Sequence, residues 1–116
     1  MLHKKKKKNE KPEYVLQCEC VEWVKHNFPN ILVFAVANEA THKNSTYYKK
    51  SGTLNGVSDL VVILPNKVLF IEMKSPKGVQ RLEQKAFQNK IENLNQKYYI
   101  CRNLETFQTI IINELN

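Results

Sequence analysis

Val68-Leu69-Phe70-Ile71-Glu72-Met73-Lys74 reads as an apolar strand interrupted by two charges. Side chains alternate across a strand, so Glu72 and Lys74 share one face while Ile71 and Met73 take the other. Upstream, Gly56-Val57-Ser58-Asp59-Leu60 leads into a second apolar run, Leu60 to Leu64, headed by the only aspartate in the chain. Pro65-Asn66 joins the two runs, and so short a connection predicts an antiparallel hairpin over 58–64 and 67–74. With Asn66-Lys67 as the two turn residues, Pro65 pairs with Val68 and Asp59 faces Lys74. Asp59 then lies diagonal to Glu72 on the same face. A three-residue turn reverses that parity unless a bulge restores it.

Two carboxylates converging at the end of a sheet repel unless a cation lies between them. Hard oxygen ligands with open positions suit Mg²⁺ or Mn²⁺, which also hold substrate phosphates. Lys74 beside them can orient a water, stabilise its deprotonated form, or bind a phosphate that gains charge during attack. The same residues also read as a structural Glu-Lys pair with Asp59 capping a turn.

Working outward, Pro12 and Glu13 open a helix, with proline in the first turn and an acid near the positive end of the dipole. Val15, Leu16, Cys18, Val21, Trp23, Val24 and Phe28 recur at helical spacing along it. Residues 31–37 form a continuous apolar run suited to a buried strand. Residues 38–51 read as a polar loop with a helical turn near 46–50. Beyond the hairpin, 75–79 is a loop, and Leu82, Ala86, Phe87, Ile91 and Leu94 trace the inner face of a second helix. A strand over 98–101 and a last helix over 104–115 follow, with Phe107, Ile110, Ile111 and Leu115 facing inward. The order α-β-β-β-α-β-α predicts an α/β fold, a mixed central sheet covered by helices on both faces.

Composition narrows the function. The 116 residues carry a net charge of +7. Residues 1–11 hold six lysines against Glu10, so the charge excess is concentrated in a basic, unfolded tail ahead of a single domain over 12–116. Such a tail attracts polyanions, nucleic acid first among them, and also simply improves solubility. No apolar run approaches the roughly 18 residues of a membrane span. No apolar stretch follows the N-terminal charges, so no signal peptide is read there. Cys18, Cys20 and Cys101 are odd in number and suit a reduced, intracellular location. Cys18 and Cys20 on one helix point about 200° apart, at roughly 3.6 residues per turn, which argues against a zinc site with His26. His42 lies in the polar loop, where a phosphate contact and plain solvent exposure are both open.

Gly56-Val57-Ser58-Asp59-Leu60 and Ile71-Glu72-Met73-Lys74 resemble the PD-(D/E)XK nuclease superfamily and, more closely, its VRR-NUC family. The resemblance extends to Glu13-Tyr14-Val15-Leu16-Gln17, Phe34-Ala35-Val36-Ala37-Asn38-Glu39, Lys77-Gly78 and Gln84, covering about residues 13 to 112. Ser58 departs from it, standing where the superfamily has a proline that shapes backbone.

The resemblance implies a restriction-endonuclease-like core and metal-dependent hydrolysis of DNA phosphodiesters. It makes Asp59, Glu72 and the Met73 backbone carbonyl ligands of Mg²⁺, with Mn²⁺ as a substitute. Lys74 would position or activate the attacking water. Glu13 would support the metal from the first helix, directly or through water, and Gln84 would close the site or contact substrate. Lys43, Lys49, Lys50, Lys77, Arg81 and Lys85 are candidate phosphate contacts. Compact members resemble structure-selective endonucleases, including resolvases of four-way junctions, which implies a homodimer with two active sites. A short nuclease of this kind suits a virus or mobile element, placing it in the host cytoplasm. The competing expectation is a DNA-binding module that kept the fold and lost catalysis.

Overall fold

The computed structural model describes residues 12–37 and 50–116. The basic tail and residues 38–49, with His42, Lys43, Lys49 and nearly all of the predicted helical turn, lie outside the described residues. Among the described residues seven elements follow in the predicted order: α1 (Glu13–Asn27), β1 (Leu32–Ala35), β2 (Leu60–Leu64), β3 (Lys67–Met73), α2 (Leu82–Asn93), β4 (Lys97–Cys101) and α3 (Leu104–Leu115). The four strands lie side by side in chain order. The pairs β1–β2 and β2–β3 are antiparallel, and β3–β4 is parallel across the α2 crossover, so the sheet is mixed.

Local chemistry explains the boundaries. Helix α1 follows Pro12, with Glu13 in its first turn and Lys25 and His26 in its last, each complementing the dipole. Helix α2 stops where Leu94 N–H caps it and Asn95 takes the left-handed conformation at φ 60°, which asparagine tolerates. Helix α3 starts at Asn103, whose side-chain oxygen accepts the Thr106 N–H at 2.8 Å. Its far end is tied to the sheet through Glu114, which takes the Tyr99 hydroxyl and lies 3.2 Å from the Lys67 ammonium.

The hairpin turns at the expected connection, Pro65-Asn66, and the register that an Asn66-Lys67 turn would give is not the one formed. Leu64 pairs with Lys67 and Leu60 with Ile71, so the turn residues are Pro65-Asn66. Asn66 sits at φ 63°, and proline followed by a left-handed asparagine is the residue pair a type II turn demands. One further step along this ladder brings Asp59 level with Glu72 rather than with Lys74. The shift is by a whole pleat, so Asp59 and Glu72 keep the same face.

One layer carries the core. Leu16, Cys20 and Val24 of α1, with Phe107 and Ile111 of α3, close on Val33, Leu60, Val62, Leu64, Leu69, Ile71 and Met73. Cys20, four residues from both Leu16 and Val24, completes the α1 stripe, and Cys18 is exposed instead of facing inward. On the opposite layer, α2 sets Phe87 edge-on to Phe70, ring centroids 5.7 Å apart, and beside Tyr98. The stripe expected for α2 is corrected in part: Leu82 is 81% exposed and Leu94 also faces solvent. The inner face of α2 runs Gln84, Phe87, Gln88, Ile91, a spacing as helical as the one predicted but with two glutamines in it. β1 is shorter than its apolar run, and Leu32, Phe34 and Ala35 are exposed, so among the described residues nothing covers both faces at this edge. Among the described residues no helix is long and apolar enough to cross a membrane.

Candidate active site

Asp59, Glu72 and Lys74 come together where β2 begins and β3 ends. The approach to Asp59 is shaped by Gly56 at φ 83°, where a Cβ would lie 2.3 Å from the Glu83 carbonyl oxygen. Only glycine lets this segment lie against the start of α2. Ser58 is fully buried, and its hydroxyl donates to the Leu60 carbonyl at 3.2 Å, a local turn at the position where the resembled superfamily has proline. Asp59 is half-buried, and its Oδ2 accepts the Met73 N–H at 2.7 Å.

Glu72 is 2% exposed and Lys74 7%, values that belong to core side chains. The Lys74 ammonium lies 3.8 Å from Glu72 Oε2, and its backbone N–H is anchored on the Cys101 carbonyl at 3.0 Å. Two further donors reach Glu72: Gln84 Nε2 at 2.7 Å to Oε2, and the Tyr98 hydroxyl at 3.5 Å to Oε1. The charge of Asp59 reaches Glu72 and opposes its ionisation. Burial, reinforced by the charge of Asp59, pushes Glu72 up to about 8. Asp59 is raised as well, chiefly by burial, in spite of the Met73 N–H.

This donor set fits a divalent cation. Two carboxylates that oppose each other's charge supply hard oxygen donors whose repulsion a divalent cation between them would relieve. Among the described residues no cluster of three His, Cys, Asp or Glu side chains is placed to hold a metal. An ion here would therefore fill its shell with water, substrate oxygens and backbone carbonyl. Glu13 is exposed at the start of α1 and accepts the Ser75 N–H at 3.4 Å. Its charge still raises both carboxylates, so its place is the edge of the site.

Gln84 is placed by its position in α2. Its Oε1 accepts the Arg81 N–H at 2.8 Å, closing the helix N-terminus, and this leaves Nε2 for Glu72. The predicted phosphate contacts Lys50, Lys77, Arg81 and Lys85 are all exposed. The thiols take no part: burial pushes Cys20 and Cys101 up to about 12, and Cys18 lies on the outer side of α1.

Three residues escape the sequence reading. Arg102 donates to the carbonyls of Ser75 at 2.7 Å and Gly78 at 2.8 Å, fixing the loop that follows Lys74. It also lines, with Leu16, Glu19, Lys74, Pro76 and Leu104, a cleft of about 230 Å³ between α1 and the start of α3. Nothing in the pattern around Arg102 announces this. Tyr98 and Gln80 are the others, and for Tyr98 a signal existed: a tyrosine in an apolar strand needs a partner for its hydroxyl.

No protein-family profile matches the sequence, and no curated protein matches it. Solved structures do. A structure described as a "VRR_NUC domain" has a TM-score of 0.64 and 18% identity, covering 85% of this chain and 92% of its own. A second, a "VRR_NUC domain protein", has a TM-score of 0.69 and 16% identity, covering 89% and 87%. Identity at this level carries the backbone arrangement and not the chemistry, so what the likeness establishes is that this chain has the VRR-NUC, nuclease-like fold.

Proposed function

We propose that this chain is a Mg²⁺-dependent endodeoxyribonuclease, Mn²⁺ substituting, that hydrolyses phosphodiester bonds in branched DNA, with the four-way junction as its foremost substrate. The observation that carries the reading is the buried Glu72 with half-buried Asp59 and Lys74 beside it, at the end of a sheet with the VRR-NUC fold. A divalent ion held by Asp59, Glu72 and the Met73 carbonyl would supply charge against the phosphate and acidify an attacking water. Lys74, held near Glu72 and walled off from bulk water, orients that water and offsets charge growing on the phosphate. Gln84 keeps Glu72 aimed, and Glu13 steadies the loop behind Lys74 through Ser75. Lys43, Lys49, Lys50, Lys77, Arg81 and Lys85 bind the phosphate backbone, which makes binding fall steeply with salt. Resolving a junction needs two symmetric nicks, and a C2 homodimer supplies two such sites.

The test incubates the protein with labelled four-way junction, flap, single strand and duplex, in Mg²⁺, Mn²⁺ or EDTA, beside Asp59→Ala and Lys74→Ala. Metal-dependent cutting lost in both variants is expected, with paired nicks in the junction. Binding without cleavage of any substrate, unchanged in the variants, would leave an inactive DNA-binding module.

A further inference from the structure

The hydrogen bonds leading to Glu72 run in one direction, and an exposed residue fixes that direction. Glu92 Oε2 can only accept, so Gln88 must present its amide nitrogen there, at 3.4 Å. Gln88 Oε1 then accepts from Gln80 Nε2 at 3.0 Å. The same Gln80 nitrogen spends its second hydrogen on the Tyr98 oxygen at 3.2 Å. The Tyr98 hydrogen is thereby turned toward Glu72 Oε1. Gln84 serves the other oxygen, with its own orientation set by the Arg81 N–H. Glu72 is thus gripped at Oε1 from β4 and at Oε2 from α2.

We propose that Tyr98, its hydroxyl oriented by Gln80, is a positioning residue that holds the Glu72 carboxylate in the conformation a divalent cation requires. This rests on the metal-dependent reading above and extends it to residues outside the ligand set. A glutamate has three rotatable bonds, and a ligand free to rotate loses the metal affinity that a fixed one retains. Outer-sphere hydrogen bonds of this kind are worth roughly 10- to 100-fold in metal affinity. The ring of Tyr98 is fixed independently, by the pairing of β4 with Phe70 on β3 and by Phe87. Removing the hydroxyl therefore removes the grip and leaves the packing.

The experiment measures Mn²⁺ uptake by the DNA-free full chain, by calorimetry or electron paramagnetic resonance, for wild type, Tyr98→Phe and Gln80→Ala. Each protein's thermal midpoint in EDTA is recorded alongside. The expected result is Mn²⁺ affinity weakened at least about tenfold in Tyr98→Phe, with a smaller loss in Gln80→Ala and little change in either midpoint. The Mg²⁺ concentration for half-maximal cleavage should rise in parallel. Wild-type Mn²⁺ affinity in Tyr98→Phe overturns the proposal while leaving the nuclease reading standing. If Tyr98→Phe fails to fold, wild-type affinity in Gln80→Ala overturns it instead. Wild-type protein that takes up no Mn²⁺ overturns both.

Discussion

Ile71 and Glu72 are neighbours on β3, equally buried, and point into two different layers. Ile71 faces α1 and α3, in a layer closed by Phe107, Ile111, Leu16 and Val24. Glu72 faces α2, in a layer where Gln84, Tyr98, Gln80 and Lys74 provide a polar interior. The first layer is ordinary apolar burial, worth about 1.5–3 kcal/mol per large side chain. The second holds two carboxylates that resist being charged together. The two faces of one sheet divide the work: one stabilises the fold, and the other uses part of that stability to hold charged groups fixed out of water.

The sharpest way to break this division is Asp59→Asn. Its side-chain oxygen can keep the Met73 N–H, and its NH₂ can turn to Glu72, so the hydrogen bonds survive and the repulsion does not. Cleavage should fall at least about 10³-fold, equivalent to about 4 kcal/mol of barrier. Stability in EDTA should rise by on the order of 1 kcal/mol, a unit of carboxylate shift being worth about 1.4 kcal/mol. Urea denaturation of both proteins checks it. A variant that loses cleavage and stability together would show that the pair is not repulsive and that the two faces are not in opposition.

Truncation on the apolar face should act the other way. Phe107→Ala removes a fully buried ring that packs edge-on to Trp23 and should cost about 3–5 kcal/mol. That is a large part of the roughly 5–15 kcal/mol available to a domain of this kind. Phe87→Ala, in the α2 layer, should cost less. The reverse ranking in urea midpoints would move the stabilising core to the side of the site.

pH sharpens the same contrast. Glu72 ordinarily ionises near 4.5 and is raised to about 8 in the fold, so the folded state favours its protonated form. Its contribution to stability is full below about pH 4.5 and is lost as pH rises toward 8. Metal-free protein should therefore have a lower urea midpoint at pH 8 than at pH 5, and saturating Mg²⁺ should flatten that slope. Glu114 works oppositely: the Tyr99 hydroxyl and then Lys67 lower it, so its contribution is present above its ordinary value and lost as pH falls further. Its charged partner Lys67 is exposed and screened by solvent, so this second slope is shallow.

Much of this was legible because charges in an apolar strand have few explanations. Glu72 and Lys74 broke an alternation, and Asp59 headed the partner strand, so the hairpin placed all three on one face whether the turn was read at Asn66-Lys67 or formed at Pro65-Asn66. Of the two turn positions, Pro65-Asn66 wins over Asn66-Lys67 because the fixed φ and missing N–H of Pro65 suit a turn better than a paired strand position. Gln84 was picked out by resemblance, but its grip on Glu72 depends on a helix packing that no local pattern encodes. Tyr98 meets Glu72 across 26 residues and Gln80 meets Tyr98 across 18, through the crossover. Contacts of that span are set by tertiary geometry alone.

The smallest predicted effect falls on the residue where helical periodicity misled. Leu82 opens the apolar stripe read from the sequence, yet Gln84 and Phe87 define the face that α2 turns inward, and Leu82 stands almost free at the first position of the helix. Periodicity reports the angle between side chains and not which angle faces the sheet. Here the angle is fixed by Gln84, whose two hydrogen bonds hold it between the Arg81 backbone and Glu72. Leu82→Lys should therefore change stability by no more than about 0.5 kcal/mol and leave cleavage intact. A loss above about 1 kcal/mol that shrinks on dilution would mean that Leu82 is covered in solution by a second copy of the chain. The polar face would then extend the apolar burial of the sheet across an interface, and the division between the two layers would hold only within one subunit.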